Sequence, residues 1–365
     1  MRILLNTVHL EKAGGVANYY NVIHPYFIED VEYYTIGART DSEKPVRILF
    51  RLLMDYWNFT KKLRQNHYDL VHLNPSLGYK AVIRDGVYLL IAKLLKKKTM
   101  VFFRGWDLGF ERAIRMYFFP LFRFAYNKAD AFVVLSPDFK DKLINMGFRQ
   151  PIFLETTVAD DTIFERCEAE SLIPSKEVSD SPKFNILFLA RIEKSKGIYE
   201  SLDTYKILKA RHSHISITVA GVGPELNKAR QYADSLKTEG IEFTGYLRGD
   251  AKHKAFIGAD AYFLPTSWGE GMPNSLIEAM AYGLPIITRP EGGIRNFFVD
   301  GGMGFLADSK DPSVFAGLLE KLIEDRPLRM KIGEYNRLYA REHFMASNAA
   351  KRIENIYRSV IECKN

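Results

Sequence analysis

The sequence is poor in everything that staples, anchors or metallates a chain. Only two of its 365 residues are cysteine, Cys167 and Cys363. Two cysteines cannot form a disulfide framework or a four-ligand zinc site, and they suit a reducing compartment. No stretch reaches the roughly 18 uncharged apolar residues of a membrane span. Val87 to Leu95 comes nearest, but Lys93 interrupts it and Lys96-Lys97-Lys98 ends it. The amino terminus meets Asn6, His9, Glu11 and Lys12 too early for the apolar core of a secretory leader. The expectation is a cytoplasmic chain, neither exported nor transmembrane. The eight histidines show no H-E-x-x-H or related spacing, and Asp160-Asp161 reads as a loop, so no metal is expected. There is no G-x-G-x-x-G, which leaves a nicotinamide enzyme unsupported.

What is present is ordinary for a globular protein: 47% hydrophobic and 26% charged residues. That excludes a mostly disordered chain, a collagen and a coiled coil. At about 100–200 residues per domain, two domains are expected. The net charge of +7 is uneven. Residues 1–150 carry 23 Lys and Arg against 14 Asp and Glu, while residues 151–365 carry 28 against 30. A basic half suits a polyanion or an anionic membrane surface, or serves solubility alone. No helix-turn-helix pattern or RNA-binding aromatic signature accompanies it, so no nucleic acid partner is expected.

Short apolar runs alternate with longer mixed segments. Strands are predicted at Ile3–Val8, Glu32–Ile36, Leu70–Leu73, Thr99–Arg104 and Ala131–Leu135, with helices between, among them Val16–Phe27 and Val46–Asn66. The composition of Cys167–Lys183 reads as a linker. The alternation then restarts, with strands predicted at Asn185–Ala190, Ser216–Gly221, Glu242–Thr244, Ala261–Pro265 and Leu284–Thr288. Helices Pro312–Glu324 and Leu328–Cys363 close the chain, the second broken near His343. Strands alternating with helices imply parallel sheets. The expectation is two Rossmann-like, doubly wound α/β domains facing a central cleft, where ligands sit at the carboxyl ends of strands. Their predicted extents are residues 1–170 and 184–340, joined by a linker at 171–183, with a carboxy-terminal helix at 341–365 that packs back on the first domain.

Three segments carry chemistry. Gly14-Gly15 lies between the first strand and its helix, where it either lets an anionic ligand approach the backbone or simply makes a tight turn. Arg191 and Lys196 follow the first strand of the second half. They clamp a diphosphate or are two solvated cations. The richest stretch is Pro265 to Pro285. A strand ends at Pro265, a loop displays Glu270, and a helix starts near Asn274 and stops at Gly283. Two carboxylates there suit the hydroxyls of a sugar or ribose, and the amides at Asn274 and Ser275 suit a phosphate. Ser275-x-x-Glu278 is also a capping-box pattern that needs no ligand.

Glu270 and Glu278, with seven residues between them and Ala-Met-Ala-x-Gly-x-Pro following, resemble the E-x7-E signature of retaining glycosyltransferases of family 4. Gly14-Gly15, Arg191…Lys196-Gly197, Gly221-x-Gly223-Pro224, Gly245-Tyr246, Gly292-Gly293 and Asp300-Gly301 follow the family in order. The resemblance implies a GT-B fold and transfer of a sugar, with retention and without a cofactor or metal, from a UDP- or GDP-sugar donor. The acceptor it implies is a glycan or lipid-linked glycan. By position, Glu278 would hold the ribose and Glu270 a hydroxyl of the donor sugar. Arg191 and Lys196 would hold the diphosphate and stabilise the leaving group. Gly14 and Gly15 would let the loop approach phosphate and sugar. Gly221 would line the donor site, Tyr246-Leu247 would read the base, and the amides of Gly271 and Met272 would face the sugar. A nucleotide-sugar epimerase on the same fold, distinguished by its products, and a two-domain sugar-binding protein are the alternatives.

The chain departs from the family where many members have His-Gly-x-Asp: here stands Arg104-Gly105-Trp106-Asp107. Arginine does not deprotonate in proteins, so Arg104 binds an anion or a sugar hydroxyl and Asp107 is the one titratable group left. An Arg104–Asp107 ion pair bracing the loop is the other reading. Arg295-Asn296 stands where members often have glutamate. His72 ends a strand and serves the acceptor or the core. Phe110 to Phe124 interleaves Arg112, Arg115 and Arg123 with aromatic and aliphatic residues, as an interfacial membrane site or as a core helix with solvated arginines.

Overall fold

The computed structural model describes residues 1–11, 14–37, 45–75, 78–169, 183–267 and 272–363. The chain forms two compact units, one from Met1–Val158, Met272 and Ala346–Asn365, the other from Ala159–Trp268 and Pro273–Met345. The helix Asp161–Ala169 therefore belongs to the second unit, and Cys167 is buried within it. Linker composition begins only after that helix, and residues 170–182 lie outside the described residues.

The first unit is built on six parallel strands: β1 (Arg2–Thr7), β2 (Asp30–Thr35), β3 (Leu70–Leu73), β4 (Lys98–Phe103), β5 (Ala131–Val134) and β6 (Ile152–Leu154). Their order is β2-β1-β3-β4-β5-β6. Successive side chains alternate between two packed faces. Leu4, Val71, Val101 and Phe103 enter one core with Phe59, Tyr88 and Tyr126. Ile3, Leu5, Leu70, Met100 and Phe102 enter the other, covered by Tyr19 and Tyr20 of the helix Gly15–Ile23 and by Ala349, Ile353 and Tyr357 of the helix Ala346–Glu362. Burial on both faces is why these strands read as unbroken apolar runs. Pro25 ends the first helix early and sets a 3-10 turn at His24–Tyr26.

The second unit repeats the plan with β7 (Phe184–Leu189), β8 (Ile215–Ala220), β9 (Ile241–Gly245), β10 (Ala261–Leu264), β11 (Ile286–Thr288) and β12 (Gly304–Leu306). The order β12-β11-β10-β7-β8-β9 puts the switch point between β7 and β10, the chain's first and fourth strands of that sheet. Ligands of open α/β sheets bind beyond the carboxyl ends of strands at such a point. The two doubly wound α/β sheets are as expected. Two strands were not foreseen, β6 and β12, each three residues long and at a sheet edge. Edge strands that short carry too few residues to show a period.

Candidate active site

The β7–β10 switch point of the second unit gathers most of the residues expected there. The segment after β7 forms a 3-10 turn at Lys194–Lys196, and Gly197 then leads into the helix Ile198–Lys209. The segment after β10 closes on it: the Ser267 amide donates to the Ser195 carbonyl at 2.8 Å, and the Thr266 hydroxyl lies 3.2 Å from the same oxygen. Gly197 has φ +80°, and a Cβ there would lie 2.4 Å from the Pro265 carbonyl oxygen. Only glycine allows that conformation and that approach together. The segment after β8 is held similarly. A Cβ on Gly221 would lie 1.9 Å from the Ala190 carbonyl oxygen, and the Gly221 amide donates to Gly245 at 2.7 Å. Three loop ends are thus fixed largely through backbone atoms, with the Thr266 hydroxyl adding one side-chain contact.

Glu278 lies on the helix Asn274–Ala281, directly beyond β10. It is buried, and Lys252 of the helix Gly249–Ile257 donates to its Oε1 at 2.7 Å. The capping-box reading fails. The residue before the helix is Pro273, no side chain caps it, and the Ser275 hydroxyl bonds the Tyr262 hydroxyl at 2.7 Å. Tyr262 also donates to the Leu189 carbonyl at 3.0 Å, tying the end of β7 to the first turn of this helix. Asn274 and Ser275 open the helix, and Met272 precedes them, half-buried. Glu270 and Gly271 lie outside the described residues.

Arg191 extends from the end of β7 with 69% of its side chain exposed, and its Nε meets Glu193 at 3.0 Å. Lys196 is half-buried in the 3-10 turn. Two cations next to a helix start are electrostatically unfavourable until an anion arrives. Tyr246 and Leu247 follow β9 at the sheet edge, where the Arg248 guanidinium stacks 4.9 Å from the Tyr246 ring. Sequence reasoning missed Lys252, which lies 26 positions from Glu278, and Arg289, buried at the end of β11 and 3.3 Å from Asp308. Neither has a local signature.

In the first unit Gly14 precedes the helix Gly15–Ile23, its carbonyl accepting from Asn18 at 3.0 Å. Among the described residues a Cβ on Gly14 would meet nothing within 4 Å, so no contact with them requires glycine there. Asp107 is a helix cap: its Oδ1 accepts the Phe110 amide at 3.0 Å at the start of the helix Leu108–Ala113. It makes no ion pair with Arg104 among the described residues. The Arg104 guanidinium lies instead over the rings of Tyr19 at 3.7 Å and Phe102 at 4.4 Å. His72 is a core residue. Its Nδ1 bonds the Tyr357 hydroxyl at 2.7 Å, and burial, with the Arg104 charge second, lowers its pKa to about 3. Among the described residues one cluster has metal-ligand residue types, His212, Glu320 and Glu324, with ligand atoms within 4.8 Å of one another. It lies before β8, away from the strands' carboxyl ends, and Arg211 already meets Glu320 at 3.0 Å.

Two family models divide the chain between them: "Glycosyltransferase Family 4" matches residues 29–154 and "Glycosyl transferases group 1" matches residues 170–339. The chain belongs to the family 4 glycosyltransferases. An uncharacterised glycosyltransferase of Methanocaldococcus jannaschii is 26% identical over 245 residues, 65% of this chain and 60% of that protein. The capsular polysaccharide biosynthesis glycosyltransferase CapM of Staphylococcus aureus is 26% identical over 179 residues, 49% of this chain and 47% of its own. The chain thus spans about half to three-fifths of these curated relatives. Among solved structures, Anabaena HepE in complex with UDP and glucose superposes with a TM-score of 0.73 at 15% identity, over 98% of this chain and all of that one. That likeness establishes the GT-B fold. Among the described residues no helix is long and apolar enough to cross a membrane.

Proposed function

We propose that this chain is a retaining glycosyltransferase that takes its sugar from a UDP- or GDP-sugar, without a metal ion, and passes it to a glycan or lipid-linked glycan in cell-surface polysaccharide or glycolipid synthesis. The observation that carries the reading is the buried Glu278, charge-paired with Lys252, at the same switch point as Arg191 and Lys196. An ionised carboxylate only accepts hydrogen bonds, so Glu278, charge-paired with Lys252, would meet the ribose as the acceptor of its hydroxyls. Breaking a glycosyl phosphate builds negative charge on the diphosphate. Fixed cations aimed at that charge do the work a metal would otherwise do. Arg191 and Lys196 take that role, with Glu270 on a sugar hydroxyl. Amides before and within the first turn of the helix Asn274–Ala281 complete the donor site.

The acceptor side belongs to the first unit. Its helical run Leu108–Tyr126 exposes Met116, Tyr117, Leu121 and Phe124 beside Arg112, Arg115 and Arg123. The helix Pro45–Gln65 exposes Leu49, Phe50, Leu53 and Trp57. Aromatic and basic residues exposed together suit an anionic membrane surface, where a lipid-linked acceptor resides.

The test is a double cycle at Glu278. Wild type and Glu278→Ala are compared with the normal donor and with one lacking both ribose hydroxyls, in EDTA. If Glu278 holds the ribose, the losses overlap and the interaction term is roughly 1–3 kcal/mol. Additive losses refute the donor site, and activity that returns only with manganese or magnesium refutes metal independence.

A further inference from the structure

The first unit has a switch point of its own, between β1 and β3. Around it the buried polar groups divide into two sets. One set is satisfied within the protein. Tyr20 donates to Asn74 Oδ1, Asn74 Nδ2 donates to the Asn6 carbonyl at 2.9 Å, and His72 bonds Tyr357. Among the described residues the other set makes no well-formed hydrogen bond, although the Tyr19 hydroxyl and the Arg104 guanidinium face each other: the Asn6 side-chain amide, Thr7 Oγ1, the Tyr19 hydroxyl, and Nε and Nη1 of Arg104. Asn6 and Thr7 end β1, Arg104 follows β4, and Tyr19 lies against the Arg104 guanidinium. Neighbouring carboxylates are committed elsewhere. Glu155 is held in a two-point fork by Arg352 at 2.6 and 2.9 Å, and Asp107 caps its helix.

A guanidinium is charged at any accessible pH, and leaving its donors buried and unmatched is costly. Aromatic faces on Arg104 offset part of that cost, since they contact its π surface and leave its N–H edges unbonded. His72 stays neutral beside it, so the only full charge in this set is positive. Unmatched N–H and O–H donors around one fixed cation lack acceptor oxygens carrying negative charge.

We infer that Arg104, with Tyr19 and Thr7, forms an oxyanion site in the first unit that takes a carboxylate or phosphate borne by a substrate. This deepens the acceptor side of the function proposed above and rests on it only in taking the ligand to be part of a substrate. Arg104 is half-buried, so its fork is reachable by rotation of its own side chain. A planar guanidinium meets a carboxylate or phosphate with two parallel hydrogen bonds, which lysine cannot do.

The test titrates the full chain with inorganic phosphate, glucuronate and, as the neutral control, glucose, at constant ionic strength. The readouts are calorimetry and the rise in melting temperature. Phosphate or glucuronate should bind and glucose should not, and whichever anion binds identifies the group. Affinity should fall at least tenfold in Arg104→Gln and severalfold in Arg104→Lys and Tyr19→Phe. The lysine and phenylalanine variants keep the test open if the glutamine variant does not fold. The Arg191→Ala, Lys196→Ala double variant separates this site from the donor site: binding that survives there belongs to the first unit, whatever becomes of the donor reading. Equal affinity in wild type and all three Tyr19 and Arg104 variants, binding lost in the Arg191, Lys196 double variant, or no binding of either anion overturns the proposal.

Discussion

Replacing Gly197 by alanine should loosen the candidate donor site by an amount that can be worked from its contacts. At φ +80° an L-residue pays about 1–2 kcal/mol for the left-handed conformation. Its Cβ would stand 2.4 Å from the Pro265 carbonyl oxygen and 2.7 Å from Pro265 Cγ, so Pro265 must retreat by about 1 Å to restore ordinary contact. That retreat strains the two bonds that Thr266 and Ser267 make to Ser195, each worth about 0.5–1.5 kcal/mol. The total is about 2–5 kcal/mol, or roughly 4–20 °C in melting temperature for a unit of this size. Two other glycines separate the contributions. Gly301 has φ +78° with nothing within 4 Å of its Cβ, so Gly301→Ala pays the conformational cost alone, about 1–2 kcal/mol. Gly317 sits inside the helix Pro312–Glu324 with open space around its Cβ, so Gly317→Ala should stabilise by about 0.5–1 kcal/mol. Calorimetry gives the three values, and nucleotide binding should weaken only in Gly197→Ala. A Gly197→Ala variant no less stable than Gly301→Ala would refute the close packing of the two loops.

Three further outcomes follow from the same geometry. Lys252→Met leaves Glu278 buried without its cation, which costs about 2–3 kcal/mol after allowance for the partly exposed lysine; denaturant unfolding should show most of it recovered by adding Glu278→Gln. His72 has a lowered pKa, so the unfolded chain binds the proton that the folded chain refuses. Stability is then full above pH 6.5 and falls by roughly 3–5 kcal/mol as the pH drops toward 3, and His72→Gln should flatten the melting-temperature profile over that window. Liposome flotation should show binding that needs anionic lipid, weakens with salt and drops in an Arg112, Arg115, Arg123 triple alanine variant; equal binding to neutral liposomes would end the membrane proposal.

Much of the architecture was determined by local sequence. The central strands of both sheets announce themselves as apolar runs because a strand buried on both faces must be apolar throughout. The E-x7-E helix was legible because its start, its stop at Gly283 and its family resemblance fall within one short stretch. Helix ends were less so: the stretch after β7 is a separate 3-10 turn at Lys194–Lys196, a left-handed glycine and then the helix Ile198–Lys209.

Only tertiary structure decided which side chains do what. Ser275-x-x-Glu278 has capping-box spacing, yet Pro273 ends the approach to the helix, leaving Ser275 to Tyr262 and Glu278 to Lys252. Arg104 and Asp107 are close in sequence but pair with an aromatic face and a helix amide rather than with each other. His72 is fixed by Tyr357, which lies 285 positions away. The physical reason is common to all three. Backbone periodicity is set by neighbours in sequence, so it can be read one segment at a time. The partner of a buried polar group is whichever atom the packed sheet and its helices bring within about 3 Å.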